Sequence, residues 1–301
     1  MNKIIPHTLI DLVGVISPSN NLKESDWKYI DNSIKKCNEL GLDVVISPNA
    51  FSDTEDLNLK IEEKISDFNA MITSSVQGIF FSKGGNFCKK LLDKIDYSLI
   101  SNNPKIIGGI SDGTFLLNAI YAKSGLITFH MSDFKRLFNN NFNELAFKEM
   151  FINKKIGPVP QNKNWVMLRG GAQEGILIGG NLSCISELSN TDYFPRDESL
   201  ILFLEEVQSA SSLEGIKKNI DVLKKNGILK RIKGLLIGDY NNDFEVNFED
   251  ILLPILDDFD FPIVKCHDFG HGGVNLVLPI GANVKLDGDN SQLILLEDVI
   301  K

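Results

Sequence analysis

The sequence predicts an α/β protein in which a parallel sheet with helices on both faces precedes a strand-rich, mixed domain. Over residues 1–130, short apolar runs alternate with segments of helical periodicity, which is typical of a parallel sheet. From residue 165 to 301, short strands separated by glycines follow one another instead. The intervening residues 131–164 are rich in Asn, Phe and Lys and weakly patterned, which indicates a helical linker or a lid.

The elements of residues 1–130 follow from apolar runs and helix-ending residues. Continuous apolar runs that stop at turn residues are typical of buried parallel strands, and Gly41 suits the end of a helix. The predicted strands are Leu9–Ile16, Leu42–Ile46, Val76–Phe81 and Pro104–Gly109, and the predicted helices are Glu24–Leu40, Asp53–Thr73, Phe87–Ile95 and Phe115–Ala122. Since ligands bind at the carboxyl ends of parallel strands, Ser17, Gly84–Gly85 and Ser111 are expected to converge there.

The second half is predicted to be mixed. Its predicted strands are Trp165–Arg169, Ile176–Ile178, Leu200–Leu204, Gly234–Gly238 and Phe261–Cys266, with one helix over Leu213–Asn226. Residues Ala282–Glu297 read as a β-hairpin that turns at Asp287–Asn290.

Composition excludes several classes of partner. The chain has 301 residues, 43% of them hydrophobic, and a net charge of −9. An acidic chain is a poor partner for nucleic acid or anionic membrane, and no stretch is apolar enough to span a bilayer. With no secretory signal pattern at the N-terminus, we expect a cytoplasmic protein. The four cysteines are scattered without a C-x-x-C pair, which predicts reduced, buried thiols.

Residues Gly109–Gly113 read Gly-Ile-Ser-Asp-Gly, the G-x-S-x-G pattern of a nucleophile elbow. The pattern follows an apolar strand and leads into a helical segment, which is the context such an elbow requires. Glycines flank the turn because its backbone is strained and leaves no room for Cβ atoms. The sequence therefore predicts that Ser111 is a nucleophile.

A serine nucleophile needs a general base, and the chain has four histidines. His271 lies on a glycine-rich loop after a predicted strand and is the preferred candidate; His7, His130 and His267 are less favoured. His267 and His271 have the H-x-x-x-H spacing of a zinc helix, but the surrounding glycines disfavour a helix, so no metal site is predicted.

Glu205 and Glu206 end an apolar strand and are candidates for the acid that orients the base. Because successive side chains of a strand point to opposite faces, at most one of them is expected to face the site. The backbone N–H groups of Gly84–Gly85 and Asp112 are candidate donors to an oxyanion.

Two alternatives from other classes stay open. Residues Gly108–Thr114 resemble the Gly-Gly-Asp-Gly-Thr phosphate motif of NAD kinase-like enzymes, interrupted by two residues, which would indicate a phosphotransferase. The second alternative is a binding protein that retains the cleft but has no catalytic activity.

Five ordered motifs resemble the LD-carboxypeptidase family of serine peptidases, which includes the microcin C immunity peptidases. They cover most of the chain and are Val13–Ser19, Asn103–His130, Gly175–Leu182, Leu202–Glu206 and Phe269–Ala282. The resemblance implies a flavodoxin-like N-terminal domain and a smaller β-rich C-terminal domain, with no metal or cofactor and a homodimeric assembly.

By the same resemblance, Ser111 is the nucleophile, His271 the base and Glu205 the orienting acid, with Gly85 and Asp112 as the oxyanion hole. The implied reaction releases a terminal D-alanine from a murein tetrapeptide during cell-wall recycling, through an acyl-enzyme.

Substrate recognition is less defined. Lys83 and Arg169 are candidate cations for the substrate carboxylate. The alternative within the family is an immunity-type peptidase acting on peptidyl-nucleotide or acyl-sulfamoyl adenylate antibiotics, for which Trp165 is a candidate platform for the base.

The departures from the family pattern fall where substrate contacts are expected. Lys83–Phe87 replaces the usual Arg-Gly-Gly-Tyr-Gly, Met131–Ser132 replaces Gly-Pro, and no Tyr-Leu-Ala-Gly stretch is present around Asn49–Thr54.

Overall fold

The computed structural model describes residues 3–9, 11–209, 211–241 and 246–301, so Ile10 of the first predicted strand lies outside the described residues. The strands are β1 Leu12–Ile16, β2 Asp43–Ile46, β3 Gly78–Phe81, β4 Ile106–Gly109, β5 Thr128–His130, β6 Gly157–Pro158, β7 Val166–Arg169, β8 Ala172–Asn181, β9 Leu200–Val207, β10 Ile232–Asn241, β11 Ile263–Lys265, β12 Leu278–Ile280, β13 Asn283–Asp287 and β14 Gln292–Leu295. The α-helices are α1 Trp27–Glu39, α2 Leu57–Thr73, α3 Tyr97–Asn102, α4 Thr114–Ser124, α5 Asn141–Phe147, α6 Leu182–Leu188, α7 Leu213–Lys225 and α8 Phe248–Leu252. Within the described ranges, no helix combines the length and the apolar character that crossing a membrane requires.

The first sheet is the parallel sheet that the sequence predicted. Its strands run in the order β2-β1-β3-β4-β5, all parallel, which is the flavodoxin-like order. Near the end of the chain, β12 adds antiparallel to β5 and makes a sixth strand. The second half of the chain therefore contributes directly to the sheet that carries Ser111.

The second sheet has eight strands in the order β6-β14-β13-β8-β9-β10-β11-β7. Its centre, β8 to β11, is parallel, whereas the strands at both ends are antiparallel. The predicted hairpin is confirmed as β13 and β14, which pair from Val284 with Leu295 to Asp287 with Gln292. The sheet is thus mixed, as predicted, but has more strands than the first.

The predicted helix Phe87–Ile95 was wrong. The structure has a short 3₁₀ turn at Cys88–Leu91 there, and α3 begins later. The carboxylate of Asp112 accepts hydrogen bonds from the backbone N–H groups of Phe87 and Cys88, which holds the start of this segment against the elbow. Asp96 caps α3 by accepting from the N–H groups two and three residues later, so the helix starts after it.

Within residues 131–164, α5 and the turn that follows it pack on the first sheet. Phe147 and Phe151 are fully buried and contact each other edge-on at 4.9 Å between ring centroids. Phe147 also contacts Phe80 of β3 at a centroid distance of 6.0 Å, and Phe151 contacts Phe129 of β5 at 5.0 Å. The segment is therefore an integral part of the hydrophobic core, although its weak periodicity did not indicate this.

Candidate active site

The turn between β4 and α4 presents Ser111 in a strained conformation. Ser111 has a φ of 61°, in the left-handed region that side chains other than glycine rarely adopt. A Cβ atom on Gly109 would come within 2.4 Å of the Phe81 ring, and one on Gly113 within 2.9 Å. These glycines are therefore required by space, as an elbow packed against β3 demands.

Three side chains that are far apart in sequence form a continuous hydrogen-bonded chain. The Oγ of Ser111 lies 3.0 Å from Nε2 of His271, and Nδ1 of the same ring lies 2.6 Å from Oε2 of Glu205. The loop around His271 is not helical, and His267 pairs instead with Asp239 at 3.2 Å. The arrangement places a hydroxyl, an imidazole and a carboxylate in the order that serine hydrolases use.

Strand alternation separates the two acids of β9. Both are fully buried, but only Glu205 reaches His271. Glu206 points to the opposite face, where it accepts hydrogen bonds from the side-chain amide of Asn181, from the backbone and hydroxyl of Ser183, and from its neighbour's N–H. Glu206 therefore anchors the start of α6.

Electrostatics favour His271 as the proton acceptor. Burial by itself lowers the pKa of His271, but the charge and hydrogen bond of Glu205 outweigh it and hold this pKa above the ordinary histidine value. His130, fully buried between the rings of Phe203 and Phe269, has its pKa lowered to about 4 by burial. His130 is consequently neutral and packed in the core near neutral pH.

Two backbone N–H groups flank Ser111 as candidate oxyanion donors. Among the described residues, no acceptor is paired with the N–H of Gly85 or of Asp112. A Cβ on Gly84 would lie 2.9 Å from Cβ of Ser111, and one on Gly85 would lie 2.3 Å from the side chain of Asn20. The loop after β3 therefore lies directly against Ser111 because Gly84 has no Cβ, and against Asn20 because Gly85 has none.

The side chain of Asp112 is a functional feature that sequence reasoning missed. Its Oδ2 accepts hydrogen bonds from the hydroxyl of Ser19 and from the N–H groups of Phe87 (2.7 Å) and Cys88 (2.8 Å). This buried carboxylate joins the loops after β1 and β3 to the elbow and so fixes the position of Gly85. The only sign of this role in the sequence is that an acid directly follows the elbow serine. The groups that Asp112 binds are distant in sequence, so no local pattern predicts them.

A cavity of about 320 Å³ opens over Ser111 and His271. Three cations lie on its wall: Lys83, Lys135 and Arg136. Lys83 was a predicted substrate contact, whereas the other two belong to the segment that was interpreted as a linker or lid, where no motif indicated them.

The structure does not bring Arg169 or Trp165 into this cavity. The Arg169 guanidinium donates to the backbone carbonyls of Leu256 and Phe259, beside the second sheet. The indole of Trp165 is buried and donates to Asp268 at 2.8 Å, three residues before His271. Both side chains are therefore engaged in holding the second half of the chain together.

Comparisons with known proteins agree with the fold and with the resemblance. The chain is 28% identical over 288 residues to a Bacillus subtilis protein named "Probable murein peptide carboxypeptidase", covering 92% of this chain and 89% of the relative. It is 28% identical over 277 residues to the microcin C7 self-immunity protein MccF of Escherichia coli, covering 80% of each. A solved structure of MccF in complex with aspartyl sulfamoyl adenosine shares the fold, with a TM-score of 0.88 at 23% identity over 99% of this chain and 100% of that chain.

Two family profiles match the chain in order. The LD-carboxypeptidase N-terminal domain matches residues 13–131, which hold the elbow, and the LD-carboxypeptidase C-terminal domain matches residues 174–286, which hold Glu205 and His271. Together the two matches span well over half of the sequence. The chain belongs to the LD-carboxypeptidase family.

Proposed function

We propose that this protein is a serine carboxypeptidase that releases the terminal D-amino acid, D-alanine, from muropeptide tetrapeptides by hydrolysing an L,D-peptide bond. The observation that carries the proposal is the chain of hydrogen bonds from Ser111 through His271 to Glu205, at 3.0 and 2.6 Å, beneath a cavity with a cationic wall. The relative named as a murein peptide carboxypeptidase supports the substrate class.

The proposed reaction begins at Ser111. Its Oγ attacks the carbonyl carbon of the scissile bond while Nε2 of His271 accepts the hydroxyl proton. The resulting oxyanion accepts hydrogen bonds from the N–H groups of Gly85 and Asp112. Glu205, bonded to Nδ1, stabilises the imidazolium that forms.

The tetrahedral intermediate then collapses. His271 donates the proton to the leaving amine, the C–N bond breaks, and the terminal D-residue departs, leaving an ester on Ser111. A water molecule gives a proton to His271 and attacks this ester. The ester C–O bond then breaks as His271 returns the proton to Oγ of Ser111, so the shortened peptide leaves as a carboxylic acid and the serine hydroxyl is restored.

A second candidate, an immunity-type peptidase acting on aminoacyl- or peptidyl-nucleotide antibiotics, is favoured by a different observation. A larger cavity of about 890 Å³ adjoins the first and shares Asn20 and Lys83 with it. Trp27 and Phe51, 48% and 37% exposed, line this larger cavity with ring centroids 5.9 Å apart. Exposed aromatic faces can stack a nucleobase. Trp27 and Phe51 therefore replace Trp165 as the candidate platform for the base.

One experiment tests both candidates. Purified protein is incubated with murein tetrapeptide ending in D-alanine and with aspartyl sulfamoyl adenosine, and products are identified by mass spectrometry. A tetrapeptide ending in L-alanine is the matched substrate control, and Ser111→Ala is the enzyme control. Loss of D-alanine from the first substrate alone supports the proposal. Cleavage of the adenosine derivative alone supports the second candidate, and cleavage of neither overturns both.

The cytoplasmic location and the homodimer stay predictions, and light scattering tests the latter.

A further inference from the structure

The cations on the wall of the Ser111 cavity are not equally available to a ligand. Lys83 Nζ lies 2.7 Å from Oδ2 of Asp26, and Lys135 Nζ lies 2.6 Å from Oδ1 of the same carboxylate. Burial raises the pKa of Asp26, but the two lysines outweigh this and hold it well below the usual range. Asp26 therefore stays ionised, occupies both ammonium groups and neutralises one of their two positive charges.

Arg136 differs from the two lysines. Its Nε faces Oδ2 of buried Asp133 at 3.8 Å, beyond hydrogen-bond distance, and its side chain is 44% exposed. Among the described residues, no acceptor is bonded to the two terminal guanidinium nitrogens. Asp133 also accepts from the backbone N–H of Arg136 at 3.0 Å, which fixes where the side chain starts. The two terminal nitrogens of the guanidinium are thus open to a ligand.

Arg136 and His271 line the same cavity. The positive charge of Arg136 acts on the His271 imidazole in the direction that lowers its pKa. In the proposed reaction, His271 protonates the leaving amine of the terminal residue. In that residue the amine nitrogen and the carboxylate carbon are only about 2.5 Å apart, as the backbone geometry dictates. The free carboxylate must therefore lie in the same cavity as His271, within reach of a cation on its wall.

We propose that Arg136 binds the terminal carboxylate of the substrate through its two free guanidinium nitrogens and so restricts cleavage to a single terminal residue. This inference rests on the proposed carboxypeptidase function. A planar guanidinium matches the two oxygens of a carboxylate, and such bidentate pairs are stronger than single neutral hydrogen bonds. An endopeptidase substrate, which has an amide at this position, makes no such pair.

The test compares two tetrapeptides that differ only in whether the terminal D-alanine is a free acid or an amide. Wild-type protein should cleave the acid about 10- to 100-fold more efficiently in kcat/KM. Arg136→Gln should reduce cleavage of the acid to about the level of the amide and should lower cleavage of the amide much less, whereas Arg136→Lys should recover part of the preference. Arg196→Gln, an exposed arginine paired with Asp192, should retain the wild-type preference.

Two outcomes overturn the inference while leaving hydrolysis intact: equal cleavage of acid and amide by wild type, and an unchanged preference in Arg136→Gln, whether or not both substrates are cleaved more slowly. A second peptide pair, which differs in amidation of an internal carboxylate, distinguishes the terminal group from another carboxylate of the substrate. If Arg136→Gln abolishes a preference for the free internal carboxylate instead, Arg136 does not bind the terminal carboxylate. Cleavage of no substrate by wild type overturns the proposed function itself.

Discussion

The hydroxyl of Ser111 lies 3.0 Å from Nε2 of His271, although 160 residues separate the two in the chain. The serine follows β4 of the first sheet, and the histidine follows β11 of the second. The contact between them therefore depends on how the two sheets meet, and the pairing of β12 with β5 helps to hold them together.

Replacing either residue should remove nearly all activity. We expect Ser111→Ala and His271→Ala each to lower kcat by about 10⁴-fold or more, and the double variant to be little worse, because such residues act as a unit. D-Alanine release from the tetrapeptide is the measurement. Ser101→Ala, at a helical serine bonded only to its own helix, serves as the matched control. Substantial turnover in either site variant would contradict the assigned roles.

The Glu205 charge should be visible in the pH dependence. His271 must be neutral to accept a proton, and Glu205 holds the pKa of His271 above the ordinary histidine value. The acidic limb of the kcat/KM profile should therefore lie above that value. In Glu205→Gln the charge is gone and burial lowers the pKa, so this limb should move to lower pH while kcat falls about 10³- to 10⁴-fold. The pH profile of D-alanine release measures both.

Glu206→Gln is the matched control for that experiment, since it removes a neighbouring buried carboxylate that does not contact His271. The acidic limb should move less than in Glu205→Gln. A shift of equal size in both variants would show that Glu205 has no special role.

Gly85→Ala should lower kcat with little effect on KM. Gly85 has a φ of 154°, which L side chains rarely adopt, and a Cβ there would meet the Asn20 side chain at 2.3 Å, so we expect the loop to shift and to withdraw its N–H from the oxyanion. Loss of one such donor lowers kcat about 10²- to 10³-fold. Gly41→Ala imposes backbone strain at a φ of 78° with open space around it, so it should lower thermal stability without changing kcat. Similar kinetics in the two variants would exclude the donor role.

The four cysteines should be unreactive in the folded protein. All four are free and buried, and burial raises the pKa of each thiol, that of Cys37 to about 12. Alkylation by iodoacetamide at pH 8, followed by mass spectrometry, should label none of them natively and all of them in denaturant. Native labelling of any one would contradict its burial.

Sequence patterns predicted the parallel sheet, the elbow and the loop that bears His271, because each depends on neighbouring residues. The glycines around Ser111 and the alternation of Glu205 and Glu206 are local signals of this kind. The helix at Phe87–Ile95 was mispredicted because the Asp112 carboxylate, which binds the first residues of that segment, is distant in sequence.

Local periodicity and turn chemistry were sufficient to identify most of the strands, the serine of the elbow and the residues around it, whereas β6 and β12 were missed. The tertiary structure alone decided which side chains share the cavity: it paired Lys83 and Lys135 with Asp26, left Arg136 open, and directed Trp165 to Asp268. Backbone propensities act between neighbours, whereas ion pairs and buried hydrogen bonds join residues that meet only when the core has packed.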